Sequence, residues 1–292
     1  MTVKLGLVGT GTVGGGCIDI LKNHREDFKR HYGIDVELVR VCSRNPEQAI
    51  AHGVEDFFTQ DYQDILNDPD IDIVVELIGG TTVARDIVVG ALKAGKNVVT
   101  ANKALMATYG EEVMGAADEA GKEIAFEASV GGGIPIIRPL NQCLAANEIE
   151  EITGILNGTT NYILTRMIRA GLSFDDALRE AQANGYAEQD PTADIEGHDA
   201  CRKICILASL AFGRHIYPRQ VPQRASPASP WPTWPMPTPV ERSSSCWGGL
   251  FAGPTGRCAP MWPHTWWTGR TPSPVWRMYS TPSPCGATPS AT

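Results

Sequence analysis

Apolar residues in this chain fall in short runs separated by longer amphipathic stretches. Val3-Lys-Leu-Gly-Leu-Val8 reads as a strand, and the helix after it is expected to run through Leu21. Residues 36–41 form a second apolar run. Residues 71–78 form a third, buried one that stops at Gly79-Gly80. An amphipathic helix is predicted over 83–93, with Gly95 closing it. Residues 97–100 make a fourth strand, a helix follows to about Ala120, and residues 123–126 make a fifth strand. Strands alternating with helices predict an α/β fold: a mostly parallel, doubly wound sheet covered on both faces.

The rhythm changes near residue 140. Residues 149–156 look like a half-exposed strand, and helical spacing then dominates over 162–170, 174–184 and 198–212. The expected organisation is a nucleotide-binding domain over 1–140 and an α+β domain over 141–216. There is no internal repeat.

Bulk properties narrow the class. The net charge of −8 divides unevenly: 19 Lys+Arg against 32 Asp+Glu up to residue 216, six Arg against one Glu beyond it. An acidic body argues against a nucleic-acid surface. No stretch approaches the roughly 18 apolar residues of a membrane span, and no cleavable leader is expected, so the reading is cytoplasmic. The eight cysteines lack metal-site spacing and read as reduced thiols.

The first chemistry-bearing motif is Gly9-Thr-Gly-Thr-Val-Gly14. A glycine triplet alone says little, but this one lies between a predicted strand and a predicted helix, which makes a Rossmann-type dinucleotide fingerprint. Gly9 permits the tight turn, Gly11 lets a pyrophosphate approach the backbone, and Gly14 lets helix and strand pack. Thr12 and Val13 complete the loop, and Gly79 ends the third strand, so Gly9, Gly11, Thr12, Val13, Gly14 and Gly79 are the expected cofactor contacts. An NAD enzyme places an acid after the second strand; here the residues are Val41-Cys42-Ser43-Arg44. An arginine and a hydroxyl suit a 2′-phosphate, so Arg44 predicts NADP, with NAD as the alternative.

The segment 181–203 carries Gly185, Glu188, Asp190-Pro191, Asp194, Gly197, Asp199 and Lys203. With the glycine loop, Thr100-Ala-Asn-Lys103 and Asn157-Gly-Thr-Thr-Asn161, it closely resembles the signature of homoserine dehydrogenases over residues 1–216. The resemblance implies NADP-dependent interconversion of L-homoserine and L-aspartate 4-semialdehyde, in threonine, methionine and isoleucine biosynthesis, by a homodimer or homotetramer. It implies Lys203 as proton donor, Glu188 and Asp199 as substrate contacts supported by Asp194, Lys103 between nicotinamide and substrate, and Gly185 beside the cofactor. It also implies a monovalent cation (sodium) on the carbonyls of Glu127, Val130, Gly132 and Ile134; without it, residues 127–135 read as a loop-to-helix junction.

The residues suit this chemistry on their own terms. Reducing an aldehyde leaves charge on oxygen, so a proton donor must stand beside it. Lys203 follows Asp199 by four residues, on one helix face. Asp190-Pro191 is expected to start that helix. The competing reading of Asp199 and Lys203 is a surface ion pair worth about 0.3–0.5 kcal/mol. His198 reads as a local structural residue. Asn157-Gly-Thr also spells a glycosylation sequon, without bearing on a cytosolic protein.

After residue 217 the composition breaks. Sixteen of 21 prolines and all seven tryptophans lie there, with one leucine, no isoleucine and no lysine. Such a tail is expected to be unstructured. Its tryptophans fit a shifted reading frame better than a solvated linker. Pro230-Trp-Pro-Thr-Trp-Pro-Met-Pro237 is encoded by CCx TGG CCx ACx TGG CCx ATG CCx, which from its third base contains three fixed GCC alanine codons. On that reading the α+β domain is incomplete, and the chain as written should fold poorly and turn over slowly or not at all. The alternatives are a genuine low-complexity extension, an inactive dinucleotide-binding remnant, or another amino-acid oxidoreductase.

Overall fold

The computed structural model describes residues 2–223, 250–252, 258–260 and 277–281. Expectations for the rest of the tail lie outside the described residues. The chain divides into two compact units, Met1–Arg138 and Pro139–Thr292.

The first unit is built on β1 (Thr2–Val8), β2 (Asp35–Cys42), β3 (Phe58–Thr59), β4 (Ile73–Glu76), β5 (Asn97–Thr100) and β6 (Ile124–Ala125). All pair in parallel, in the order β3-β2-β1-β4-β5-β6. The helices are α1 (Thr12–Asn23), α2 (Arg25–Tyr32), α3 (Pro46–Ala51), α4 (Gln63–Leu66), α5 (Thr82–Lys93) and α6 (Lys103–Ala120).

Apolar spacing places the core. In α5 the buried residues are Ala84, Ile87, Val88, Ala91 and Leu92, one helical face. Burying Ile87 and Leu92 contributes about 1.5–3 kcal/mol each. A second apolar layer joins Leu7, Ile18, Val41, Ala49, Val54 and Val75. Asn102 caps α6 by accepting the Leu105 N–H at 3.0 Å, and Gly121 ends it in the left-handed region (φ 60°). The parallel α/β sheet agrees with the fold expected from sequence.

Several boundaries differ. The third strand stops at Glu76 rather than residue 78, because the Ile78 and Gly79 N–H groups turn back onto the Glu76 carboxylate. Helix α1 continues to Asn23 and is followed by α2, which buries no residue and so carries no apolar signal. Residues 127–135 lead into no α-helix; a 3₁₀ turn over Glu127–Ser129 gives way to a loop, and Pro139–Cys143 form one π turn in the second unit.

The second unit contains β7 (Glu148–Thr153), α7 (Gly158–Ala170), α8 (Phe174–Ala183), α9 (Thr192–Ile195), α10 (His198–Phe212), β8 (Leu250–Ala252), β9 (Cys258–Pro260) and β10 (Arg277–Thr281). Strand β7 ends at Thr153, three residues before its predicted end. It pairs antiparallel with β10, and β8 pairs antiparallel with β9. These three strands fall where no regular structure was expected. Regular structure also continues past residue 216: Pro218–Gln220 form a 3₁₀ turn and Val221 is buried. Helices α7 and α8 pack through Ile163, Ala177 and Ala181. Among the described residues, no helix is long and apolar enough to cross a membrane.

Candidate active site

In the first unit the strand order reverses between β1 and β4, the position at which an α/β sheet as a rule takes its ligand, beyond the carboxyl ends of the strands. The loop after β1 is Gly9–Gly14. Gly9 has φ 107°, and a Cβ there would lie 2.7 Å from the Leu77 carbonyl carbon and oxygen. Gly11 meets nothing within 4 Å and leads into α1 without a side-chain cap. The first-turn N–H groups of α1, beginning at exposed Thr12 and Val13, are therefore available to an anion.

The other wall is organised by a residue the sequence reading passed over. Glu76 is fully buried. Its carboxylate accepts the N–H groups of Ile78 (2.9 Å) and Gly79 (3.3 Å) and the Thr100 hydroxyl (2.6 Å). Asn102 continues the network by donating its Nδ2–H to the Gly80 carbonyl at 2.7 Å. Gly79 (φ 72°) and Gly80 (φ 71°) are thereby fixed to the end of β5, where Lys103 opens α6. An acid in the middle of the apolar run 71–78, which also holds Asp72 near its start, was the available signal.

After β2, buried Thr10 lies 2.7 Å from the Ser43 Oγ and 2.8 Å from the Gln48 Oε1. One hydroxyl has one proton, so Thr10 donates to Gln48 and accepts from Ser43. This holds the turn carrying Arg44, whose carbonyl accepts the Gln60 Nε2–H at 3.2 Å. Arg44 is exposed and has no ion-pair partner among the described residues. Burial pushes the Cys42 thiol up to about 11, so it stays protonated.

The candidate cation loop lies in the same unit. Glu127 uses its carboxylate on three consecutive N–H groups, Ile136 (2.5 Å), Ile137 (2.7 Å) and Arg138 (2.8 Å). Burial pushes this carboxyl up, but those bonds outweigh it and hold it below the usual range. The Glu127 carbonyl accepts from Val130 (3.2 Å) and Gly131 (3.3 Å). The carbonyls of Val130, Gly132 and Ile134 accept no hydrogen bond among the described residues. Uncommitted backbone oxygens are hard donors, the kind that suits a hard cation rather than a soft metal.

In the second unit, Asp194, Asp199 and Lys203 come together. The Lys203 ammonium donates to the Asp199 carboxylate and to the Leu156 carbonyl, both at 2.9 Å. Their side chains are 16% and 5% exposed, so the surface ion-pair reading does not hold. Asn157 joins the group: its Nδ2 donates to Asp194 at 2.7 Å and Asp199 at 2.9 Å. The helix carrying Asp199 and Lys203 does not start at Asp190-Pro191. Pro191 caps the short α9, and α10 begins after Gly197, whose φ of 81° breaks the helix between them.

Glu188 and Gly185 stand apart from that cluster. Glu188 is exposed, and among the described residues its backbone carbonyl alone is engaged, accepting the Gln182 Nε2–H at 3.1 Å. Gly185 is exposed just beyond α8, with φ 74°. His198 lies 3.1 Å from Glu196, two residues back, and 2.5 Å from Gln223, 25 residues on, so its contacts are not all local.

Two family models match the chain. The homoserine dehydrogenase NAD-binding domain model covers residues 9–127, and the homoserine dehydrogenase model covers 135–226. The homoserine dehydrogenase of Pseudomonas aeruginosa is 48% identical over 211 residues, 72% of this chain and 48% of that protein. The crystal structure of a homoserine dehydrogenase from Thiobacillus denitrificans has a TM-score of 0.73 at 47% identity, covering 77% of this chain and 52% of that one. A hyperthermophilic archaeal homoserine dehydrogenase in complex with NADPH has a TM-score of 0.71 at 25% identity, covering 89% and 81%. The chain spans about half the length of the curated relatives it matches. The glycine loop at the β1/β4 switch point, the buried Asp199–Lys203 pair and these matches agree: the chain belongs to the homoserine dehydrogenase family.

Proposed function

We propose that this chain carries out, at whatever rate its C-terminal part permits, the NADP-linked interconversion of L-homoserine and L-aspartate 4-semialdehyde, a step of amino-acid biosynthesis. The observation that carries this reading is the buried Asp199–Lys203 pair with Lys203 also bound to the Leu156 carbonyl.

The nicotinamide cofactor supplies the hydride acceptor or donor when bound. Gly9, Gly11, Thr12, Val13 and Gly14 would hold its pyrophosphate, with Gly79 and Gly185 approaching it closely. Lys103, at the first position of α6, would contact its nicotinamide end. Arg44, whose guanidinium has no ion-pair partner among the described residues, would bind the 2′-phosphate that distinguishes NADP from NAD. The bound cofactor of the archaeal relative supports this choice.

Lys203 has three N–H groups, of which Asp199 and Leu156 take two. The third is left for the substrate oxygen. It donates a proton as the aldehyde becomes an alcohol, and the neutral amine takes that proton back in the reverse direction. Asp199, Glu188 and Asp194 would hold the substrate's polar groups, and the carbonyls of Glu127, Val130, Gly132 and Ile134 would bind sodium. The intact assembly is proposed to be a cytoplasmic homodimer or homotetramer.

The test is fluorescence titration of the purified 292-residue chain with NADPH and NADH, then NADP⁺ reduction with and without L-homoserine. Tighter NADPH binding that Arg44→Ala abolishes, with homoserine-dependent reduction, supports the reading. Equal binding of both cofactors would remove the NADP assignment, and homoserine-independent rates would remove the substrate.

A further inference from the structure

We infer that Asn157 is a positioning residue that sets the spacing of Asp194, Asp199 and Lys203; the inference rests on the function proposed above. The Asn157 side chain is buried at 7% exposure and completely committed. Its two amide N–H groups go to Asp194 Oδ1 (2.7 Å) and Asp199 Oδ2 (2.9 Å). Its Oδ1 accepts the Thr160 N–H and the Thr160 hydroxyl, both at 2.8 Å. The amide orientation is fixed by chemistry, because ionised carboxylates only accept and a backbone N–H only donates.

Asn157 faces two tasks at once. Its oxygen caps α7, which is structural. Its nitrogen ties two carboxylates from α9 and α10 to one atom, which separates like charges that would otherwise repel. Asp199 Oδ2 is also the atom that Lys203 contacts, so one oxygen is shared between the amide and the ammonium. The next residue back, Leu156, supplies the second Lys203 acceptor. The Leu156-Asn157 dipeptide thus acts on Lys203 twice, directly through the Leu156 carbonyl and indirectly through Asp199. The charged groups around the Lys203 ammonium in this network are Asp199 on its own helix and Asp194 across Asn157.

The two tasks separate by substitution. Asn157→Ser keeps a good helix cap but cannot reach both carboxylates. Asn157→Asp keeps the cap oxygen, loses both donors and adds a third negative charge. Ser173→Ala removes the N-cap of α8, makes no hydrogen bond to this network, and serves as the structural control. In the full chain, Asn157→Ser should bind NADPH as the wild type does and melt within a few degrees of it. Its kcat for homoserine oxidation should fall about 100-fold, as expected when a reacting group is misplaced by about 1 Å. In Asn157→Asp the added charge holds the Lys203 proton more tightly, so the rise of kcat with pH should move to higher pH. Ser173→Ala should lower the melting temperature and leave the pH profile in place.

Wild-type kcat and pH profile in either folded Asn157 variant would overturn the inference and leave the proposed function standing. A wild-type chain that binds NADPH but shows no homoserine-dependent reduction would overturn the proposed function and this inference with it.

Discussion

Gly14 stands against Gly9 so closely that a Cβ on Gly14 would lie 1.8 Å from the Gly9 carbonyl oxygen. No side-chain adjustment relieves that contact, because the obstructing atom is backbone. Gly14→Ala must push α1 away from the loop, at a cost of about 1–3 kcal/mol as for other overpacking. The expected result is a lowered melting temperature and a large loss of NADPH affinity. Gly16→Ala, where a Cβ meets nothing within 4 Å, should leave both unchanged. Differential scanning fluorimetry and NADPH titration compare the two.

Glu76 gives the second prediction. It receives two backbone N–H groups and the Thr100 hydroxyl in a fully buried position. Glu76→Ala strands these donors, each at about 1–3 kcal/mol. Glu76→Gln keeps one acceptor oxygen and should cost less. In both variants the Gly79-Gly80 loop loosens, so NADPH affinity should fall in the order wild type, Gln, Ala. Equal affinities in all three would show that the loop needs no such anchor.

Asp35 supplies a pH prediction. The Arg25 side chain donates to it at 2.7 and 3.1 Å and the Thr2 hydroxyl at 3.1 Å. The Arg25 hydrogen bond is the largest cause, and the carboxyl is held down from 3.8 to about 2. A carboxylate depressed in the folded state stabilises above its unfolded value and loses that contribution as pH falls through about 2. NMR titration should therefore place the Asp35 midpoint near 2 and move it upward in Arg25→Gln. Unchanged midpoints in the two proteins would contradict the assignment.

The sheet was legible because its signals are local. Strand β1, the glycine loop and α5 follow from apolar spacing and from glycines at fixed offsets. What escaped were features made by polar side chains reaching across the sequence. Glu76 reads as the second acid, after Asp72, of an apolar run until Thr100, 24 residues later, meets it. Asn157 reads as a sequon residue until Asp194 and Asp199, 37 and 42 residues on, accept from it. The periodicity over 198–212 matches the bounds of α10, but the start read at Asp190-Pro191 belongs to α9. Pro191 is the stronger local signal, but Gly197 in the left-handed region starts the helix that matters.

The most direct test compares wild type with Lys203→Ala in the 292-residue chain, measuring L-homoserine-dependent reduction of NADP⁺ as enzyme concentration is raised. The wild-type rate should be proportional to enzyme, however slow. Lys203→Ala should bind NADPH equally well and lose about 10²–10⁴-fold in rate, the usual contribution of a positioned proton donor. A wild-type rate that ignores L-homoserine, or a Lys203→Ala rate equal to it, would contradict the account.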